Sequence, residues 1–195
     1  TSSEIILEQA LARAGMTMDD INTVEMTVDG MTTAMISGQI DAAASWSPNT
    51  VTLQNALGDN YVDLGTNADF LDSAIFPSSY ICTPEYAEAN HDILVRFAQA
   101  LDKAHDWRAA HPEEMAKLLA KELDAPEDTM LAAVGEADWQ TITEVCGDMD
   151  AIKTVYETQQ GIFLDNGTIT ENVPVEDYVL FDVMQEAYDA YSAAK

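Results

Sequence analysis

Two short stretches carry side chains that could do chemistry. Trp46-Ser47-Pro48-Asn49 closes the segment MISGQIDAAASWSPN, residues 35–49. An indole there offers a flat stacking surface beside small polar groups, which is equipment for holding a small solute rather than for reacting with it. A core or interface tryptophan is the competing reading. Thr1-Ser2-Ser3 head an apolar-periodic segment. At a helix start, hydroxyls and free backbone N–H groups converge and favour an anionic or strongly polar group. Simple capping is the alternative there.

Other searches for reactive constellations are empty. There is no GxSxG elbow, Walker loop or GxGxxG. His91, His105 and His111 lack the i,i+4 spacing of a helical zinc site and read as surface residues. DNGTITENVPVE places Asp165 and Glu176 at the first and twelfth positions of a calcium loop, but the glycine at position six and the ligands at three and five are missing. Asp148, Asp150, Glu113 and Glu114 read as helix-start carboxylates favoured by the helix dipole. Catalytic residues, metal ligands and cofactors are therefore expected to be none.

The elements that must position these groups follow from periodicity. IILEQALARA, residues 5–14, sets Ile6, Leu7, Ala10, Leu11 and Ala14 on one helical face, with Gly15 to end it. NTVEMTV alternates like a half-buried strand, and Asp29 is expected to cap a short helix, MTTAMIS, that Gly38 closes. IDAAASW reads as a strand whose small residues suit a tightly covered central position. YVDLGTN is another, after the turn signal Gly58-Asp59-Asn60. Residues 1–72 thus read as αβαβ(α)β, the alternation of an α/β layer with parallel strands. IFPSSYICTPEY is expected to be a crossing strand. Beyond it the chain reads as mostly helical: 84–110 with Ile93, Leu94, Phe97, Leu101 and Ala104 inward, then 113–122, 127–134, 149–164 and 175–193. Pro112, Pro126 and Pro174 stand near helix starts. Trp107 and Trp139 are expected in the core.

Bulk properties bound the function. The 195 residues suffice for a proper core, in one domain or two small ones, and 47% are apolar. Eight Lys and Arg face 35 Asp and Glu, a formal charge of -27, so nucleic acid and anionic lipid are poor partners. The acidic residues are spread along the chain and read as a solubilising surface. No stretch approaches the ~20 apolar residues of a membrane span. Thr1-Ser2-Ser3-Glu4 reads as a helix cap already in place, so a processed or truncated product is expected. Cys82 and Cys146 lack metal-ligand spacing and could at most form one disulfide; two buried free thiols are expected, with the disulfide as the alternative.

The order of SGQIDAAASWSPN, then SSYICTPEYAEANHDILVRFAQALDKAHDWRAAHPEEMAKLLAKEL, then FLDNGTIT resembles the nitrate/sulfonate/taurine-type solute-binding proteins of ABC importers. That family includes binders of thiamine-pyrimidine precursors. The resemblance implies an α/β fold of the type II periplasmic-binding class, two lobes closing on a ligand. Residues 1–75 would form a cleft-forming second lobe, and 76–195 the crossing strand and the helical C-terminal part of the first. It also implies a first-lobe segment ahead of the helix that begins at Thr1. By the same resemblance Thr1, Ser2 and Ser3 match helix-start hydroxyls that hold a ligand's anionic group, and Trp46, Ser47 and Asn49 the loop at the cleft edge. Asp29 matches the loop before the second helix and would serve as a cap or as a partner for a ligand amine. Ser78, with Ser79, lies by the crossing strand.

The implied partners are a small-molecule ligand and an ABC permease, with no nucleic acid and no membrane insertion. The implied location is periplasmic or extracellular, as a lipoprotein or secreted protein. A sensory or regulatory module of the same fold, or a fragment without independent binding, are the rival readings. Thiamine-pyrimidine synthases share the fold but use an active-site histidine and a cysteine-rich iron motif, and this sequence offers neither.

Overall fold

The computed structural model describes residues 2–70, 76–136 and 138–195. These form ten α-helices joined by 3-10 turns and irregular segments. They cluster into two compact units, Thr1–Ala74 with Glu113–Ala137, and Ile75–Pro112 with Asp138–Lys195.

In the first unit α1 (Ser2–Arg13) buries Ile5 and Leu11. The next helix, α2 (Val28–Ile36), is capped by Thr27, whose hydroxyl accepts from the Gly30 N–H. It ends in a Schellman turn: Gly38 takes φ +69°, its N–H bonds to the Met35 carbonyl, and the Gln39 N–H reaches Ala34. Only glycine adopts that conformation without a Cβ penalty, so the chain leaves α2 abruptly toward Trp46. Helix α3 (Asn49–Leu57) packs on α2 and buries Val51 and Leu53. Two further helices, α6 (Pro112–Glu122) and α7 (Glu127–Ala133), enclose Ala116, Ala120 and Met130. Two alanines on α6 let the helices approach closely. Contacts between α3 and α7 then bring the 3-10 turn Val134–Glu136, which follows α7 directly, toward the start of α3.

The remaining anchor of this unit is Phe70, only 3% exposed. The Arg13 guanidinium lies 3.9 Å over its ring and also donates to the Asp69 carbonyl. The Asp69 carboxylate accepts from the Thr66 N–H and hydroxyl, which holds its pKa below the usual carboxylate range.

The second unit is organised by α5 (His91–Ala110) and α10 (Phe181–Ala193), which make its most extensive helix contact. Val95, Val183 and Ala187 are buried between them, with Leu94 and Ala98 packed alongside. His91, at the start of α5, hydrogen-bonds Glu186 at 3.0 Å, and near its end Asp106 accepts from Tyr191 at 2.8 Å. The pair therefore runs in the same direction, pinned by polar contacts at both ends. Short α8 (Ile142–Cys146) is joined to α5 by the Ile142 N–H, which donates to Asp106 at 2.8 Å. In α9 (Met149–Asp165) the buried Gln160 amide donates to the Val173 carbonyl and accepts from its N–H, at 2.8 and 2.7 Å.

Several expectations need correction. No strand occurs among the described residues. Residues 22–26, 40–46, 61–66 and 76–83 are irregular, and no backbone hydrogen bond joins them to one another. Alternation prescribes a strand's faces but does not supply its partner, and a strand exists only as part of a ladder. The cap of α2 is Thr27 rather than Asp29, because the chain is already helical at Val28. The long helix from 84 divides at Asn90 into α4 (Pro84–Ala89) and α5. Its buried face carries Val95 and Asp102, whereas Ile93 and Phe97, expected inward, are 43% and 45% exposed. The last helix begins at Phe181, after a 3-10 turn at Val175–Asp177. Trp107 is exposed and stacks on His111, and Trp139 lies in an irregular link. Both cysteines are free, but only Cys146 is buried.

Two consequences are measurable. A Cβ at Gly65, whose φ is +144°, would stand 2.9 Å from the buried Phe70 ring. Gly65→Ala should cost about 1–3 kcal/mol by chemical denaturation, through strain and displacement of that ring. Gln160→Ala should cost about 0.5–1.5 kcal/mol for each of the two bonds to Val173, whose backbone groups are left to water.

Candidate functional site

The site builds outward from the short turn that feeds α3. After the Schellman turn the chain passes through small residues 42–45 and reaches Trp46, which leaves 54% of its surface exposed. A large indole held half in water is an available stacking face. The Ser47 hydroxyl donates to the carboxylate of Glu136, and the Thr50 hydroxyl donates to the same oxygen at 2.8 Å. Ser47 and Thr50 are themselves 3.3 Å apart. One carboxylate thus gathers two hydroxyls and ties the Trp46 turn to the 3-10 turn that follows α7. Asn49, the first residue of α3, receives a long 3.5 Å contact from the buried Thr32 hydroxyl of α2. Beside Trp46, the Ser45 hydroxyl oxygen is shielded from solvent and has no hydrogen-bond partner.

The turn presents groups able to stack and to hydrogen-bond. It offers an aromatic face, a side-chain amide and a carboxylate already engaged by two hydroxyls, while the Ser45 hydroxyl is closed off from solvent. No histidine or cysteine stands among these groups to activate a hydroxyl as a nucleophile. No group of three His, Cys, Asp or Glu side chains among the described residues is arranged to hold a metal ion.

Of the predicted residues, the structure gathers Trp46, Ser47 and Asn49 into this turn. Ser2 and Ser3 lie in the first turn of α1, and Thr1 lies outside the described residues. Asp29 is exposed within the first turn of α2. No hydrogen bond links Ser2, Ser3 or Asp29 to the Trp46 turn among the described residues. Ser78 is exposed in the second unit, where its neighbour Ser79 shares a 2.7 Å hydrogen bond with the Tyr156 hydroxyl. Two grooves of the second unit, of about 510 and 560 Å³, are lined by other residues: Gln160, Leu164 and Val173 in one, Asp92, Ile93 and Arg96 in the other.

Sequence reasoning missed Glu136, Thr50 and Ser45. Thr50 and Ser45 sit within the flagged stretch and could have been drawn in. Glu136 is 89 residues from Ser47, so no local pattern links them.

Residues 1–115 match the model of the family described as NMT1/THI5 like, and the chain belongs to that family. Over 121 residues, 62% of this chain, it is 34% identical to a protein of Brucella abortus (strain 2308) provisionally named a binding protein. An equal match is found in Brucella suis biovar 1 (strain 1330). A protein of Escherichia coli (strain K12), provisionally named an aliphatic sulfonates-binding protein, is 23% identical over 183 residues, 92% of this chain. The chain spans 38% of the length of the Brucella relatives and 54% of that of the E. coli relative. No solved structure matches it significantly.

Glu136→Ala should free the Ser47 and Thr50 hydroxyls together. Exposed charge-assisted contacts of this kind are worth up to about 1 kcal/mol each. The variant should remain folded and show faster protease cleavage between residues 44 and 50 than the parent chain.

Proposed function

We propose that this chain belongs to the solute-binding component of an ABC importer, and that the Trp46–Asn49 turn contacts the solute. The observation that carries the reading is the half-exposed Trp46 indole, in a chain whose family relatives are named as binding proteins. Function on this reading is capture and release without chemistry: contacts from two lobes favour a closed state, and a membrane permease recognises it. Residues 1–75 would supply the cleft-forming second lobe, and 76–195 the crossing segment with the helical part of the first. The type II periplasmic-binding fold would be completed by portions of the protein that the family relatives carry beyond the matched region. Work outside the cytoplasmic membrane, as a secreted protein or lipoprotein, accompanies the role. No helix among the described residues is long and apolar enough to cross a membrane.

The side chains of the turn favour one class of solute. Glu136 brings a carboxylate to it, and the chain carries a formal charge of -27. A small anion would meet repulsion here with no arginine among the groups of the turn to offset it. A flat neutral or cationic organic molecule could stack on Trp46 and donate hydrogen bonds to Glu136 and Asn49. The sulfonate in the name of the E. coli relative supports the opposing anionic reading.

A thermal-shift screen with aminopyrimidines, aromatic amines, aliphatic sulfonates and nitrate separates the two. A shift with the nitrogenous aromatic compounds, weakened about tenfold or more in apparent affinity by Trp46→Ala, is the expected result. A shift with sulfonates alone would replace the proposed solute class. Binding that Trp46→Ala leaves intact would remove this turn from the site.

A further inference from the structure

A carboxyl group that nothing above uses lies in the core of the second unit. Asp102 of α5 is only 6% exposed, and its Oδ2 oxygen is buried without a hydrogen-bond partner. One helical turn on stands Asp106, the neighbouring acid on the same face of α5. Its oxygens are occupied: Oδ1 accepts from the Ile142 N–H at the start of α8, and Oδ2 from the Tyr191 hydroxyl of α10 and from the Lys195 ammonium just beyond it. Three segments therefore meet at Asp106, while Asp102 is buried beside them with an oxygen left over.

We propose that Asp102 is a proton-operated latch: protonated, it lets α8 and α10 close on α5, and ionised, it loosens that junction. The reason is elementary. A neutral carboxyl can be buried at modest cost, whereas a carboxylate with no donor is expensive there and also repels a second carboxylate one turn away. Every ionisable group facing this position from the packed elements points the same way or is already committed. On α5 it is Asp106; on α8 it is the buried Cys146 thiol, itself pushed up to about 11 by burial and by Asp102. From α10 comes the Tyr191 phenol, and beyond its end Lys195, whose ammonium is drawn to Asp106. Lys195 attracts Asp102 too, but more weakly than burial and Asp106 oppose its ionisation. The result is a pKa raised to about 6, with burial as the first cause.

The sign follows from that direction. In the unfolded chain the group titrates near 3.8, so its stabilising contribution is complete below about pH 4. It is lost as pH rises through about 6 and stays lost at neutrality. A separation of roughly two units permits up to about a hundredfold change in the opening equilibrium.

The test is amide hydrogen exchange of residues 181–193 in the intact chain between pH 4 and 8, corrected for intrinsic exchange rates, beside Asp102→Asn. Parent protection should fall by up to about a hundredfold across that range, and the amide variant should flatten most of the fall. Equal pH dependence in parent and variant overturns the proposal, as does parent protection that is flat or rises with pH. Should Asp102→Asn fail to fold, a carbon NMR titration of the Asp102 carboxyl in the parent decides. A midpoint near 6 that drops in Asp106→Asn supports the latch, and a midpoint near 4 refutes it. None of these readouts involves a solute, so the latch stands or falls apart from the proposed binding role.

Discussion

The controlling constraint in this chain is the satisfaction of backbone groups where helices begin and end. With no ladder among the described residues, the main-chain donors and acceptors outside the helices depend on side chains, local turns or water. Side chains do much of that task. Thr27, Thr83, Thr141 and Asp148 each accept from N–H groups at the head of a helix. Gln160 substitutes for a strand by bonding both backbone groups of Val173, and Asp69 does comparable work at Thr66. The architecture of each unit is a set of helices whose ends are fastened individually.

This changes the meaning of the acidic composition. Thirty-five carboxylates against eight basic side chains suggest a solvated, repulsive surface. Many of them instead serve as hydrogen-bond acceptors at fixed places. Glu144 closes a capping box with Thr141, Asp148 accepts from two successive N–H groups, and Asp106 collects three donors, from Ile142, Tyr191 and Lys195. For Asp69 and Glu144 these bonds depress the pKa, so the charged form is the one the fold uses. Glu136 extends the same habit to the Trp46 turn. Asp102 is the exception, an acid in the core for which no donor is provided.

Helix positions were largely legible in the sequence because their signals are local: apolar spacing, a proline at the first turn, a threonine or aspartate cap. The capping of α9 by Asp148 and the start of α6 at Pro112 follow from a few adjacent residues. Failures occurred where the deciding partner is distant. The rotation of α5 that buries Asp102 and exposes Phe97 is set by α10, some eighty residues later, and periodicity alone could place the apolar stripe on either side. The strands failed for the same reason, since pairing is a property of two segments. Within the candidate site the Trp46–Asn49 turn was visible from its residue types, whereas Glu136 was not, because its bond to Ser47 joins residues 89 positions apart.

The claim on which the functional account rests is that a solute lies against Trp46. Its most direct test is tryptophan emission in a chain carrying Trp107→Phe and Trp139→Phe, which leaves Trp46 as the sole indole. Titration with a solute that calorimetry shows to bind should give a saturable change in that emission, with the calorimetric midpoint. Calorimetric binding with unchanged Trp46 emission would place the solute elsewhere and contradict the account.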